Sequence, residues 1–423
     1  MKSNTTKIIG VIGLGYVGLP LAVEFAKKYK VFGYDININR VKEVNNGIDT
    51  TLEVESKNLN QVLNDKLIIT SKIDDIKNCN IYIITVPTPV DENKNPDLKF
   101  IKKASSDIGK ILKKDDTVIY ESTVYPGCTE EDCVPILEKN SGLVYNEDFF
   151  CGYSPERINP GDKVNTISTI VKVTSGSNPE TAKMVDSLYS SIISAGTHLA
   201  PSIKVAEASK AIENAQRDLN ISFMNELSII FNKMEIDTND VLEAAGTKWN
   251  FLNFKPGIVG GHCIGVDPYY LVYKSKKLNY NPKVILSGRQ VNDNMGNFVG
   301  ELVKNLLIKK KISIKRCKIL ILGITFKENC PDIRNSKVID IYKYLKDKGA
   351  NVSIHDPYAN NDEVHTEFNV KLITKFELYD AIVLAVSHNE YISLDISSLK
   401  KQKESVVFDV KGFLDRNIVD ERL

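Results

Sequence analysis

The spacing of hydrophobic positions changes character along the chain and divides it into three blocks. Before about residue 200, short β-branched or aromatic runs recur at Lys7–Ile12, Val31–Tyr34, Leu67–Thr70, Ile81–Val86, Thr117–Tyr120 and Ile170–Val173. Stretches with helical spacing lie between them, beginning with Leu19–Lys28. Strands that alternate with helices predict a parallel, doubly wound sheet. From Pro201, a favoured first-turn residue, the pattern turns helical and runs to about Met234 without Pro or Gly. Val205, Ile212, Leu219, Phe223 and Ile230 repeat at intervals of 7, 7, 4 and 7, one continuous apolar stripe. A glycine-rich loop, Lys255–Asp267, precedes a further helical pattern, Pro282–Lys310. Strand candidates then return at Cys317–Leu322, Val352–His355, Ala381–Val386 and Ser405–Asp409, with a helix over Lys337–Lys348. The predicted class is α/β: two Rossmann-like, doubly wound domains joined by a long central helix. The expected boundaries are 1–200, 201–310 and 311–423. The outer blocks are alike in kind, as an ancient duplication of architecture would leave them, yet no fixed-period repeat is visible.

Composition narrows the function. The 423 residues are 42% hydrophobic and 26% charged, an ordinary globular mixture. Lys+Arg of 55 against Asp+Glu of 54 leaves +1, which argues against a broad nucleic-acid footprint. No apolar run approaches the roughly 18–20 residues of a membrane span, and Met1–Lys7 has no signal-peptide character, so a cytoplasmic chain is expected. The seven cysteines are scattered, with no CxxC pair. That disfavours a zinc ribbon, a redox dithiol or a disulfide framework, and no metal site is expected.

The first strand candidate runs into Gly13-Leu14-Gly15-Tyr16-Val17-Gly18 and then into a helix. In that context the glycines point to a dinucleotide: one permits the tight turn, one admits the pyrophosphate, one lets helix and strand pack closely. The free N–H groups of the helix start favour phosphate. Asp35 ends the second strand and can accept from a ribose diol, which favours NAD over NADP; Arg40 nearby is the one group that would welcome a 2′-phosphate. Three later segments, Thr85–Pro89 with Pro87 and Thr88, Glu121-Ser122-Thr123, and Tyr153–Arg157, fall where strands of this sheet end. Ligands bind at the carboxyl ends of such strands, so Thr88, Thr123 and Glu156 are expected to converge on one crevice.

On the central helix, Lys210, Asn214 and Arg217 share one face, opposite the apolar stripe. Such a face is either solvated or turned into a cleft, where Lys and Asn one turn apart would hold a substrate oxygen. The stripe itself predicts either burial within the chain or a homodimer. In Val259–Asp267, Gly260, Gly261 and Gly265 crowd around Cys263, with His262 adjacent and Asp267 four residues on. Small neighbours expose the sulfur, and a thiolate forms covalent intermediates with carbonyls. A nicotinamide site and a nucleophilic thiol together suggest two oxidations: alcohol to aldehyde, then a captured thiohemiacetal to thioester, which water releases as a carboxylate.

Gly13–Gly18, Glu121–Gly127, Ser154–Gly161, Lys210 with Asn214, Gly260–Cys263 and Gly323–Lys327 with Arg334 occur in this order. The ensemble, which spans essentially the whole chain, resembles the UDP-glucose/GDP-mannose dehydrogenase family. The Glu156–Gly161 run, Gly260–Cys263 and Lys248–Phe251 are similar to its bacterial branch acting on UDP-N-acetylhexosamines, UDP-N-acetylglucosamine above all, in surface-polysaccharide pathways. The resemblance implies an N-terminal NAD domain, a central dimerising helix and a C-terminal UDP-sugar domain. It implies oxidation of a C6 hydroxyl to a carboxylate with two NAD⁺. By the same resemblance, Cys263 is the nucleophile, Lys210 and Asn214 hold the C6 oxygen with Lys210 as candidate base or oxyanion stabiliser, Asp267 and Thr123 position water, and Glu156 assists thioester hydrolysis. Arg157, Arg217, Gly257, Gly260, His262 and Lys327 are implied at the substrate, and Tyr16, Val17, Pro87, Thr88, Ser122, Thr123 and Arg334 at the cofactor. Relatives that use UDP-glucose commonly carry Phe-Leu where Arg157-Ile158 stands and an aromatic residue or Ser in place of His262, which favours an N-acetylated sugar here. UDP-N-acetylgalactosamine and UDP-N-acetylmannosamine remain open as substrates. Two other classes also remain: a two-electron hydroxyacid or phosphogluconate type of dehydrogenase, and a non-catalytic NAD-sensing scaffold.

Overall fold

The computed structural model describes residues 6–158, 166–261 and 263–423. They fall into two compact units: Met1–Glu213 with Tyr269–Tyr280, and Asn214–Pro268 with Asn281–Leu423.

The first unit is built on strands β1 (Ile8–Ile12), β2 (Lys30–Tyr34), β3 (Leu67–Thr70), β4 (Ile81–Ile84), β5 (Thr117–Tyr120), β6 (Phe150–Tyr153), β7 (Lys172–Gly176) and β8 (Thr197–Leu199). Its helices are α1 (Gly18–Ala26), α2 (Ile38–Asn45), α3 (Ser56–Val62), α4 (Lys99–Gly109), α5 (Val134–Ser141) and α6 (Pro179–Ser190). The sheet order is β3-β2-β1-β4-β5-β6-β7-β8. Every neighbouring pair is parallel except β6 with β7. Order reverses between β1 and β4, the switch point where a dinucleotide crevice forms. Ile9, Val11, Ile81, Ile83 and Ile119 from the sheet pack with Leu19, Val23 and Phe25 of α1. Each such side chain contributes roughly 1.5–3 kcal/mol on burial.

Two strands escape the hydrophobic pattern. β6 reads Phe-Cys-Gly-Tyr, with a glycine that lowers strand propensity, and β5 supplies its order through a parallel ladder from Thr117↔Phe150 to Tyr120↔Tyr153. β8 is three residues long and half-exposed, so it has no apolar signature.

Helix α7 (Ile203–Lys233) carries the chain from the first unit into the second and runs 31 residues, close to the span its unbroken pattern predicts. Its amphipathicity is inverted. Glu207, Lys210, Asp218, Ser222, Asn225 and Ser228 are buried, whereas Val205, Ile212, Phe223 and Ile230 are 44–56% exposed. A helix in a monomeric globule ordinarily turns its apolar stripe inward. Lys210 of the predicted polar face is therefore enclosed, while Arg217 is exposed, and apart from half-buried Leu219 the stripe is not buried within the chain.

The second unit continues through α8 (Thr238–Gly246), the first residues of α9 (Asp267–Lys277), and α10 (Lys283–Lys309). It then forms a five-stranded sheet from β9 (Lys318–Leu322), β10 (Asn351–His355), β11 (Ala381–Leu384), β12 (Val406–Asp409) and β13 (Glu421–Arg422), with α11 (Val338–Asp347) and α12 (Asn361–Phe368). The order is β10-β9-β11-β12-β13, all parallel. β13, two residues long, is the strand that hydrophobic pattern does not reveal.

Candidate active site

The turn after β1 has the geometry a pyrophosphate requires. Gly13 sits at φ +93°, and a Cβ on Gly18 would lie 1.8 Å from the Gly13 carbonyl oxygen. Nothing lies within 4 Å of where a Cβ on Gly15 would stand, which leaves room for a ligand. Asp35 accepts from the Leu14 N–H and the Asn37 N–H, each at 2.8 Å, so it both braces the turn and presents a carboxylate beside it. Arg40 takes a different part from a 2′-phosphate receptor. Its guanidinium donates to the Leu14 carbonyl at 2.8 Å, to Glu43 and to Asp49, and its residue is buried. The fit is to NAD. Gly18→Ala forces the turn apart; at a cost of about 3 kcal/mol its NAD affinity, read by calorimetry, falls on the order of a hundredfold.

The strand-end loops of this unit are tied to one another. Ser122 Oγ donates to the Val86 carbonyl and Thr88 Oγ1 to the Thr123 carbonyl, both at 2.6 Å. Tyr270 of α9 donates to the Thr88 carbonyl. Pro87 is exposed, while Thr88, Thr123 and Glu156 are half-buried. Glu207, one turn before Lys210 on α7, accepts from the Gly127 N–H and, at 2.9 Å, from the Thr129 N–H. It fastens the segment that follows Thr123 to the helix that carries Lys210. Burial pushes the Glu207 carboxyl up to about 7 against the pull of those N–H groups. Arg157 pairs with Glu213 at 2.8 Å and donates to the Val171 carbonyl at 2.7 Å. Arg217 is exposed.

In the second unit the cysteine loop is suspended from buried polar groups. Asn225 of α7 bonds Gly257 twice, donating to its carbonyl at 3.0 Å and accepting its N–H at 2.8 Å. Asn292 of α10 accepts from Asn225 and donates to Asp218, at 2.8 and 2.7 Å. Arg289 donates to Asp218 and Asp293 at 2.5 and 2.6 Å, and its guanidinium lies 3.7–3.8 Å from where a Cβ on Gly265 would stand. Burial pushes the Asp218 carboxyl up despite Arg289. The Cys263 carbonyl accepts from the N–H groups of Val266 and Asp267 at 3.0 and 2.8 Å, closing a turn that opens α9. Asp267, buried, accepts from the Asn214 side chain at 2.5 Å. Six of the seven cysteines are buried; Cys263 alone is partly exposed. His262 and Asn159–Gly161 lie outside the described residues.

Gly260 and Gly261 do more than bare the sulfur. A Cβ on Gly260 would lie 2.9 Å from the Asn335 carbonyl oxygen, and one on Gly261 would lie 2.8 Å from the Phe326 ring. Asn335 also donates to the Gly261 carbonyl at 3.2 Å. These two glycines let the loop pack on the 326–336 segment, which carries Lys327 and Arg334. Arg334 forms a two-pronged pair with Asp332, and Lys327 lies over the Phe326 ring at 6.0 Å.

Sequence reasoning missed Glu207, Asp218, Asn225, Arg289 and Asn292. A signal was available for three of them. Residues 207, 210, 214, 218 and 225 advance by 3, 4, 4 and 7, so the polar face of α7 is longer than the Lys210–Arg217 segment suggests.

The C-terminal sheet repeats the turn of the first one without its cofactor chemistry. Gly323 sits at φ +90°, and Asp356, at the end of β10, accepts from the Ile324 N–H at 2.6 Å as Asp35 does from Leu14. Here the other carboxylate oxygen is spent on the N–H groups of Tyr358 and Ala359, and His388 bonds the first oxygen at 3.1 Å. Burial alone would raise the Asp356 carboxyl, but His388 and the backbone donors hold it at about 2. The next helix, α11, starts only at Val338, so no helix N-terminus follows the turn directly. That geometry suits a ligand other than a second dinucleotide.

Comparison with known proteins finds one family along the chain. Residues 7–193 match the NAD-binding domain of the UDP-glucose/GDP-mannose dehydrogenase family, residues 204–294 its central domain and residues 320–416 its UDP-binding domain. The chain is 54% identical over 419 residues to UDP-N-acetyl-D-glucosamine 6-dehydrogenase of Pseudomonas aeruginosa, covering 98% of this chain and 99% of that one. It is 53% identical over 420 residues to the Salmonella typhi protein of the same name, covering 98% of each. Among solved structures, the UDP-D-ManNAc dehydrogenase of Pyrococcus horikoshii superimposes with a TM-score of 0.90 at 30% identity, covering 98% of each chain. With the glycine turn, the suspended cysteine and three matched domains in agreement, this chain belongs to the UDP-glucose/GDP-mannose dehydrogenase family of NAD-dependent oxidoreductases.

Proposed function

We propose that this chain oxidises the C6 hydroxyl of a UDP-N-acetylhexosamine, UDP-N-acetylglucosamine first among them, to the carboxylate through a covalent intermediate on Cys263. The single partly exposed thiol, on a loop held by buried polar groups, carries the reading. Identity favours the glucosamine epimer: 54% and 53% to proteins named for it, against 32–33% to those named for UDP-N-acetyl-D-mannosamine. NAD, when bound, supplies the hydride acceptor for each of two oxidations. Lys210 and Asn214 steady the C6 oxygen, with Lys210 as the candidate base for the hydroxyl proton lost in the first oxidation or as stabiliser of the oxyanion. The Cys263 thiolate adds to the aldehyde carbon, and the thiohemiacetal loses a second hydride and a proton to become a thioester. Water held by Thr123 and Asp267 attacks it, Glu156 accepts a proton, the C–S bond breaks and the thiol is restored. Arg157, Arg217, Gly257, Gly260, His262 and Lys327 serve the nucleotide sugar, and Arg334 the cofactor.

The inverted helix α7 supports a homodimer formed through its apolar stripe. No described helix is long and apolar enough to cross a membrane, and NAD and nucleotide sugars are cytoplasmic pools, which supports a cytoplasmic enzyme. Its uronic product suits surface-polysaccharide assembly. Incubating the protein with NAD⁺ and UDP-N-acetylglucosamine, -galactosamine or -mannosamine tests the reading. Two NADH per carboxylate, fastest with the glucosamine substrate, is expected. One NADH with an aldehyde or ketone product would instead place the chain among two-electron dehydrogenases.

A further inference from the structure

Behind Glu156 lies a buried ionic group that the reaction above does not use. Lys172, the first residue of β7, is 3% exposed, and its ammonium stands 2.7 Å from Glu121 and 3.5 Å from Glu156. Glu121, at the end of β5, is fully enclosed and also accepts from the Tyr189 hydroxyl of α6. The Tyr189 ring lies under the ammonium, 5.5 Å from its centroid. Glu156 is the one carboxylate of the two that solvent can reach. Its Oε1 accepts the N–H groups of Arg157 and Ile158, each at 2.5 Å, and its Oε2 faces Lys172. Among the described residues, Arg157 and, paired with it, Glu213 also lie near it.

A buried ion pair adds little stability over apolar side chains of the same size, so packing alone does not explain a lysine between two carboxylates. The ammonium instead ties the enclosed Glu121 to Glu156, the carboxylate that solvent reaches, at 2.7 and 3.5 Å. Burial alone would lower the Lys172 ammonium, but Glu121 and Glu156 outweigh it and hold it above its ordinary value, so it stays charged. Burial pushes Glu121 up against the pull of Lys172.

We propose that Lys172 is a positioning residue for the hydrolytic half of the reaction, fixing the Glu156 carboxylate so that it can take a proton from the attacking water. The inference rests on the role given to Glu156 above. In that step water forms the C–O bond to the acyl carbon, one of its protons passes to Glu156, and the C–S bond breaks with its electron pair on Cys263. The proton on Glu156 then returns to the thiolate or to solvent, and no electron is exchanged.

Lys172→Met alone would leave Glu121 charged and enclosed, so the informative variant is Lys172→Met with Glu121→Gln, accepted for study if its Tm and NAD affinity stay near the parent's. Single turnovers with NAD⁺ and UDP-N-acetylglucosamine are followed by NADH absorbance and by mass spectrometry of the acid-quenched protein. The double variant is expected to form both NADH equivalents at the parental rate and to accumulate the acyl adduct on Cys263. Its deacylation falls on the order of ten- to a hundredfold, at or below the 10²–10⁴ that loss of a whole general base costs. KM for the sugar nucleotide holds while the deacylation rate falls, and Lys172→Arg recovers most of that rate. Parental deacylation in the double variant overturns the proposal. Glu156→Gln separates the two ways of failing: if it deacylates slowly while the double variant does not, only Lys172 is misassigned. If both deacylate normally, the reading of Glu156 itself is what fails.

Discussion

Cys263→Ala is expected to form no carboxylate, with steady-state NADH production reduced by at least about three orders of magnitude, the scale on which loss of a covalent nucleophile acts. NAD binding should hold, because the glycine turn and Asp35 belong to the other compact unit and share no residue with the cysteine loop. The physical basis is the loop's suspension. Asn225 fixes Gly257, the turn closed on the Cys263 carbonyl opens α9, and Asn214 holds Asp267. Replacing the sulfur with a methyl hydrogen leaves every one of those bonds intact, so the loss reports chemistry and not folding. Stopped-flow NADH traces with product analysis check it. A Cys263→Ala protein that still yields two NADH and a carboxylate would remove the covalent mechanism.

Ile212→Glu with Phe223→Glu is expected to convert a dimer to monomers in sedimentation velocity. Both side chains are more than half exposed on a helix whose buried face carries Ala206, Ala211, Ala215 and Met224 beside its polar residues. Folding of the single chain therefore gains little from them, and the substitutions should leave the monomer's secondary structure intact. At an interface between copies each new carboxylate would be dehydrated without a partner, costing several kcal/mol. Two per chain raise the dissociation constant on the order of a thousandfold or more. A parent protein that sediments as a monomer at micromolar concentration would refute the dimer and leave the enzyme reading untouched.

The elements that the chain announces are those whose side chains alone determine them. The Ile9–Ile12 and Ile81–Ile84 runs are buried on both faces, so they read as continuous apolar segments, as strands of a covered parallel sheet must. Gly13, Gly18 and Asp35 are legible for the same reason: each has a requirement of its own, a positive φ, a space too small for a methyl group, a carboxylate at a strand end. Cys263 stands out through its glycines. β6, β8 and β13 are illegible because neighbouring strands hold them in place, and a ladder partner leaves no mark in a local window. The same holds for Lys172, which sits between Glu121 and Glu156, 51 and 16 positions away.

By itself the sequence determined the two sheets, the long helix between them, the nucleotide turn and the thiol, since propensity, periodicity and steric need act within a few residues. Tertiary structure alone decided which face of α7 is inside. A stripe at heptad spacing fits either a core or a partner, and only the burial of Glu207, Asp218 and Asn225 on the other face shows that polar groups were enclosed while Ile212 and Phe223 were left out. It also decided what Arg40 is for. A guanidinium beside a nucleotide turn suits a phosphate equally well, until the Leu14 carbonyl, Glu43 and Asp49 are seen to occupy it. Hydrogen bonds between residues distant in sequence make these choices, because an enclosed polar group must find its partner wherever the fold brings one within reach.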